Sequence, residues 1–319
     1  MGCKWPEAAI DWPFARFSLL VVVGCSLSDA TRRQRMESCM ERRFVQCDVF
    51  TEIPTRGNGL AVVIDAQGMS DEQMQGFAAW TNLAETTFLL PPEDLTADYK
   101  VRIFTPAREM PFAGHPTLGS CAAWLKTGGA PANQGVVRQE CGVGIVEIDI
   151  SGPVPAFVAP PTTIEDLPAA ALQSIATALN IDPGRILRTA RLNNGPVWQV
   201  LELSSADEVL AVDSSKVRWP TFQAIGLIGA YHPGDECDYE VRMLAPSSGM
   251  SEDPITGSLN SAIACWMHRS GRLQSDLVIS QGTRIGRLGR IFIRRTPENA
   301  DRLLIGGETQ ILIEGTLRL

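Results

Sequence analysis

A chain of 319 residues, 45% hydrophobic and 20% charged, carries enough apolar material for two cores of roughly 120 to 150 residues each and is too apolar for disorder. A formal charge of −8 argues against broad phosphate-backbone binding, so nucleic acid is not an expected partner. Eight cysteines without a C-x-x-C pair, and only three histidines, suit reduced buried thiols in a cytoplasmic protein and disfavour disulfides or a zinc site.

Residues 1–39 stand apart from the rest of the chain. The apolar run 17–24 is too short to span a bilayer, and Glu7 and Asp11 beside Lys4 and Arg16 spoil the positive start of a signal peptide. This segment reads as an N-terminal extension or a misassigned start, and no membrane partner is expected. Strand-like sequence begins at 44–50 and recurs at 60–64, 86–90, 99–104 and 143–150, all rich in β-branched or aromatic residues. Between them, Ser70 and Gln73 form a capping box ahead of Met74, Phe77 and Ala78, the apolar face of a helix. The proline-rich segment 151–163 marks a boundary between a lobe at 40–155 and a second at 156–319, whose last strand returns to the first. In the second lobe the pattern predicts helices at 168–179 and from about 254 to 268. Strands are expected there at 197–203, 239–244, 277–280, 291–294 and 311–314.

An internal repeat links the halves. YKVRIFTP at Tyr99 aligns with YEVRMLAP at Tyr239, sharing Tyr, Val, Arg and Pro. After a loop read as two residues shorter in the second copy, His115-Pro116 aligns with Asp253-Pro254, and Gly119-Ser120 with Gly257-Ser258. Each frame runs into a helix of small residues. Proline at the first helical position makes His115 and Asp253 the caps and leaves Ser258 a full turn inside its helix. Free N–H groups and the positive end of each macrodipole then offer a seat for a carboxylate or enolate-like oxygen. A pseudo-twofold between the halves would bring both helix starts to one cleft, with a His and an Asp facing one small acid from opposite sides.

The strings DVFT, GNGLAVV, NLAETTFLLPP, VRIFTP, PFAGHPTLGS, EDPITGS, QGTRIGR and IGGETQILIEGTL together resemble the PhzF-like phenazine-biosynthesis isomerases. The resemblance covers about residues 40–319. It implies an α+β fold of two pseudosymmetric lobes of the diaminopimelate-epimerase type, each a curved, mostly antiparallel sheet around a central helix. It also implies a homodimer and cofactor-free proton transfer on carbon, with no metal. The family roles fall on Glu85 as acid/base in N-L-x-E-T-T-F, on His115 and Asp253 as its catalytic companions, and on Ser258 as a substrate contact; Gly114, Gly257 and Asn58 are further candidate substrate contacts read from their positions. Epimerase relatives use a cysteine at each helix start; here Gly114-His115 and Asp253 take those places, which disfavours a two-thiol racemase. Gly59 stands where proline is usual and Ala84 where serine is usual, and both departures bear on substrate identity.

The chemistry can be argued without the family. Removing a proton from carbon beside a conjugated acid needs a close, poorly hydrated base and a partner for the developing negative charge. Glu85 in the setting Ala84 to Phe88 fits such a base, with its pKa raised by desolvation. His115 would relay or orient, while Asp253 and Ser258 hold a carboxylate or amine; trans-2,3-dihydro-3-hydroxyanthranilate is one candidate substrate. Plainer readings stand beside these: a surface carboxylate for Glu85, ordinary helix caps for His115 and Asp253, and helix packing for Ser258. Two other functions stay open. One is a hydrolase triad of Ser258, His115 and Asp253, although no G-x-S-x-G elbow is present; the other is a non-catalytic binder of small acids.

Overall fold

The computed structural model describes residues 40–215, 223–245, 252–296 and 302–319. The extension assigned to residues 1–39 and Pro246 of the repeat lie outside them. In the N-terminal lobe, β1 (Glu41–Val49) folds back as β2 (Asn58–Val63), and α1 (Asp71–Thr81) carries the chain over to β3 (Glu85–Leu90), parallel to β2. β4 (Tyr99–Phe104) runs beside β3 and turns into the two-residue β5 (Glu109–Met110). Then come α2 (Gly114–Lys126), β6 (Val136–Cys141) parallel to β4, β7 (Gly144–Asp149) and β8 (Ala156–Val158).

The second lobe repeats that order behind one added strand and helix. β9 (Thr163–Glu165) and α3 (Ala169–Ala178) lead to β10 (Ile186–Asn193), β11 (Val197–Leu203), α4 (Ala206–Ala211) and β12 (Ile225–Ala230), parallel to β11. β13 (Tyr239–Leu244) turns into β14 (Glu252–Asp253), followed by α5 (Gly257–Arg269), β15 (Leu277–Gln281) parallel to β13, β16 (Gly289–Arg295) and β17 (Leu303–Gly306). The last strand, β18 (Thr309–Arg318), lies antiparallel along the whole of β1, from Glu41 opposite Arg318 to Val49 opposite Thr309. β8 pairs with both β7 and β17, so one mostly antiparallel sheet runs through both lobes. Two pseudosymmetric lobes of α+β type, each a sheet around one helix, are therefore present.

The helices divide by composition. α2 and α5 are built of small and apolar residues on every side, and nearly all of their first two turns are buried. A helix apolar all round can only be central. α1 is amphipathic: Met74, Phe77 and Ala78 pack on Phe88 and Phe104 at the outer face of the first sheet. Its predicted start is observed, Ser70 Oγ accepting from Gln73 N at 3.2 Å and Gln73 Oε1 from Ser70 N at 2.9 Å. In the second lobe, Ile175, Leu179 and Val209 cover Leu201, Ile225 and Leu227 in the same way.

The internal repeat holds in the strands but not in the H/D-P-x-x-G-S frame. Glu109 and Glu252 open the equivalent strands β5 and β14, and Gly114 and Gly257 open the equivalent helices, each pair 143 positions apart. The loop in the second copy, residues 245–251, is therefore three residues longer than residues 105–108, not two shorter. The predicted caps shift accordingly. Ala113 caps α2, His115 is its second residue, and Pro116 sits third, within the first turn where no proline N–H is missed. Asp253 is not a cap at all: pairing of β14 with Met243 and Leu244 holds it extended, α5 starts behind Thr256, and Ser258 lies in the first turn.

The true repeat carries an ion pair in each lobe. Arg102 binds Glu109 through two contacts of 2.7 Å, partly in solvent. Arg242 binds Glu252 at 3.1 and 2.7 Å, with side chains 2% and 3% exposed, and also donates to Val209 O and Val212 O at the end of α4. Glu252→Ala strands a buried guanidinium and is expected to cost about 3–5 kcal/mol in urea unfolding. Glu109→Ala, at the equivalent site, should cost no more than about 1 kcal/mol.

A candidate active site where two helices begin

The first residues of α2 and α5 touch backbone to backbone. A Cβ on Gly114 would stand 3.0 Å from Gly257 Cα, and one on Gly257 would stand 3.1 Å from Gly114 Cα. Only glycine permits that approach. Neither helix has a side-chain cap bond, so the amides of both first turns are left for other acceptors. A cleft of about 1920 Å³ opens beside this junction, with Met110, Phe112, Trp198 and Met243 among its apolar walls and Glu85, Asp253 and Ser258 among its polar ones. Asn58, His115, Gly114 and Gly257 form the layer behind.

Glu85 is the first residue of β3, opposite Leu60 of β2. Its Oε2 lies 3.4 Å from His115 Nε2, and neither atom has a hydrogen-bond partner although both are buried. Loss of water, and secondly the negative charge of Asp253, push the Glu85 carboxyl up to about 8. Burial holds His115 down at about 3, so its ring is neutral.

Asn58, at the start of β2, ties the two lobes together here. Its Nδ2 donates to Ile255 O at 2.9 Å and faces His115 Nδ1 at 3.4 Å and Asp253 Oδ1 at 3.5 Å. Because Nδ1 faces a donor, the neutral imidazole carries its hydrogen on Nε2, pointing at Glu85. Asp253 Oδ2 accepts from Thr256 Oγ1 at 2.5 Å. Burial raises the Asp253 carboxyl to about 6; the Thr256 and Asn58 contacts pull it down and Glu252 pushes it further up. Both carboxyls are raised, Glu85 further than Asp253, so a proton on the pair sits preferentially on Glu85.

The structure thus gathers Glu85, His115, Asp253 and Asn58 into one constellation, with Gly114 and Gly257 as its floor. Ser258 lines the same cleft, its carbonyl held by Asn194 Nδ2 at 2.8 Å. The triad geometry is absent: His115 presents its two ring nitrogens to Glu85 and Asn58, and the hydroxyl bound to Asp253 is that of Thr256. Thr256 and Gln281 belong to the site without having been expected there from sequence. Gln281 opens the string QGTRIGR, which was the signal available.

Phenazine biosynthesis-like proteins match as a family over residues 47–315. The chain is 33% identical over 296 residues to antisense-enhancing sequence 1 of Schizosaccharomyces pombe, covering 86% of this chain and 98% of that protein. It is 31% identical over 287 residues to trans-2,3-dihydro-3-hydroxyanthranilate isomerase of Pseudomonas aeruginosa, with 86% and 98% covered. A crystal structure of a PhzF-family phenazine biosynthesis protein from Bacillus anthracis superposes with a TM-score of 0.72 at 21% identity, over 87% of this chain and 99% of that one. The chain belongs to the phenazine biosynthesis-like, or PhzF, family.

Proposed function

We propose that the protein is a cofactor-independent isomerase that moves a proton between carbons of a small carboxylate-bearing substrate, with Glu85 taking and returning it. The observation that carries this reading is the buried pair Glu85 Oε2 and His115 Nε2, 3.4 Å apart and without hydrogen-bond partners, beside two uncapped helix starts. Orphaned buried polar atoms are rare in folded proteins, and a catalytic role is one of the few explanations for such a pair.

In this reading the ionised form of Glu85 removes a proton from the carbon adjacent to a conjugated acid. The charge left on the substrate is drawn toward the free amides of the first turns of α2 and α5. The protonated Glu85, whose carboxyl proton exchanges with solvent, then delivers a proton to another carbon, so the cycle needs no other acid, base or electron carrier. His115 presents Nε2–H toward the carboxyl from 3.4 Å and orients it, and Asp253 with Ser258 binds the substrate's amine or carboxylate. The relative named trans-2,3-dihydro-3-hydroxyanthranilate isomerase makes that molecule the first substrate to try. Two copies per assembly and a reducing, cytoplasmic setting belong to the same reading; the described cysteines Cys47, Cys121, Cys141, Cys237 and Cys265 are all free.

Incubation with this dihydroanthranilate in D₂O, followed by mass spectrometry, is expected to place deuterium on product carbon, which a purely binding protein would not do. Glu85→Gln should lower turnover by about 10²- to 10⁴-fold with the melting temperature preserved. Turnover by that variant at the parent rate would sink the assignment.

The charge pattern predicts a pH profile. Abstraction needs ionised Glu85, so kcat/KM should rise about tenfold per pH unit below 8 and level off above. Asp253→Asn removes the repulsion that helps keep Glu85 protonated; ionisation becomes easier and this limb moves to lower pH. A limb that stays in place would remove Asp253 from the electrostatics of the base.

A further inference from the structure

The string QGTRIGR, Gln281 to Arg287, has no part in the mechanism above, yet it begins inside the candidate site. Gln281 ends β15, is fully buried, and makes four contacts. Its Oε1 accepts from Thr256 N at 3.0 Å and from Asn260 Nδ2 at 2.7 Å; its Nε2 donates to Thr256 Oγ1 at 2.9 Å and to Asp253 O at 3.3 Å. Which end of the amide is oxygen is set by the main chain: the N–H of Thr256 can only donate, and the carbonyl of Asp253 can only accept. The loop after Gln281 is tightly seated. Arg287 Nη1 donates to Thr55 O at 2.7 Å, Leu288 N to Arg56 O at 2.7 Å, and a Cβ on Gly282 would stand 2.6 Å from Pro254 O.

A hydroxyl that accepts from a fixed amide has its one hydrogen left for the other neighbour. For Thr256 that neighbour is Asp253 Oδ2 at 2.5 Å. The Asn58 amide approaches Oδ1, so donors face both oxygens and a proton placed on either would meet another hydrogen. We propose that Gln281 is a positioning residue: its amide, locked by backbone groups at both ends, turns the Thr256 hydroxyl toward Asp253 and keeps that carboxyl in its ionised, acceptor form. The other titratable groups around Asp253 are Glu85 from β3, His115 from α2 through the shared Asn58 amide, and Glu252 on its own strand, which is paired with Arg242 and still raises Asp253. The inference builds on the reading of Asp253 as part of the site, but it concerns a titration that needs no substrate.

The test is ¹³C-carboxyl NMR of aspartate-labelled protein across pH, with the Asp253 resonance assigned through Asp253→Asn. Gln281→Leu and Thr256→Val should each raise the Asp253 midpoint by about one pH unit or more, a tenfold or greater loss of preference for the charged form. Thr256→Ser, which keeps the hydroxyl, should retain the parent midpoint. Thr256 makes no side-chain bond as the cap of α5, and valine matches its shape, so Thr256→Val reads the link even where Gln281→Leu unfolds. An unchanged midpoint in Thr256→Val overturns the proposal. A shifted midpoint in a protein that exchanges no deuterium into substrate would retain this inference and reject the isomerase.

Discussion

The cleft depends on the close approach of Gly114 and Gly257, which lets two helices start at one point. With side chains there, the helix ends would part and each would need its own cap. With hydrogens there, the lobes meet backbone to backbone and both sets of free amides serve one volume. The surrounding sheet keeps the helices in place: their first two turns are buried almost completely, and the sheet strands of both lobes wrap them.

On that floor the protein holds two carboxyl groups in different states. Both have lost water, which disfavours charge in each. The donors of Thr256 and Asn58 compensate Asp253; the buried oxygen of Glu85 faces only the imidazole of His115, 3.4 Å away and not hydrogen-bonded to it. The difference is a matter of supply of hydrogen-bond donors, and it separates a fixed negative charge from a group able to gain and lose a proton near neutrality. Neutral His115 fits this division, since a cation at that place would hold Glu85 ionised and compete with any substrate proton.

Much of this is legible in the chain. The Y-x-V-R strands, the capping box at Ser70, the small-residue central helices and Glu85 at the head of its strand can all be read from residue pattern. The register of the two frames cannot. His115-Pro116 and Asp253-Pro254 share spacing with the downstream Gly-Ser by coincidence, and the extra residues in 245–251 are invisible to local propensity. β6 escapes the pattern because Gln139 looks solvated, whereas it is fully buried between Tyr99 Oη and Thr117. β10 reads as surface because of Arg188 and Arg191, which pair with Glu202 and Glu165. The donors around Asp253 come from residues 58, 256 and 281, a grouping that only tertiary structure makes.

The pairing of β18 with β1 has a consequence for how the chain is made. The first strand of the N-terminal lobe lies between β2 and β18, so one side of it stays open until residues 309–318 have been made. The N-terminal lobe completes its sheet only with a strand about 260 residues downstream, and a chain halted before Thr309 leaves an unsatisfied row of backbone amides and carbonyls along residues 41–49.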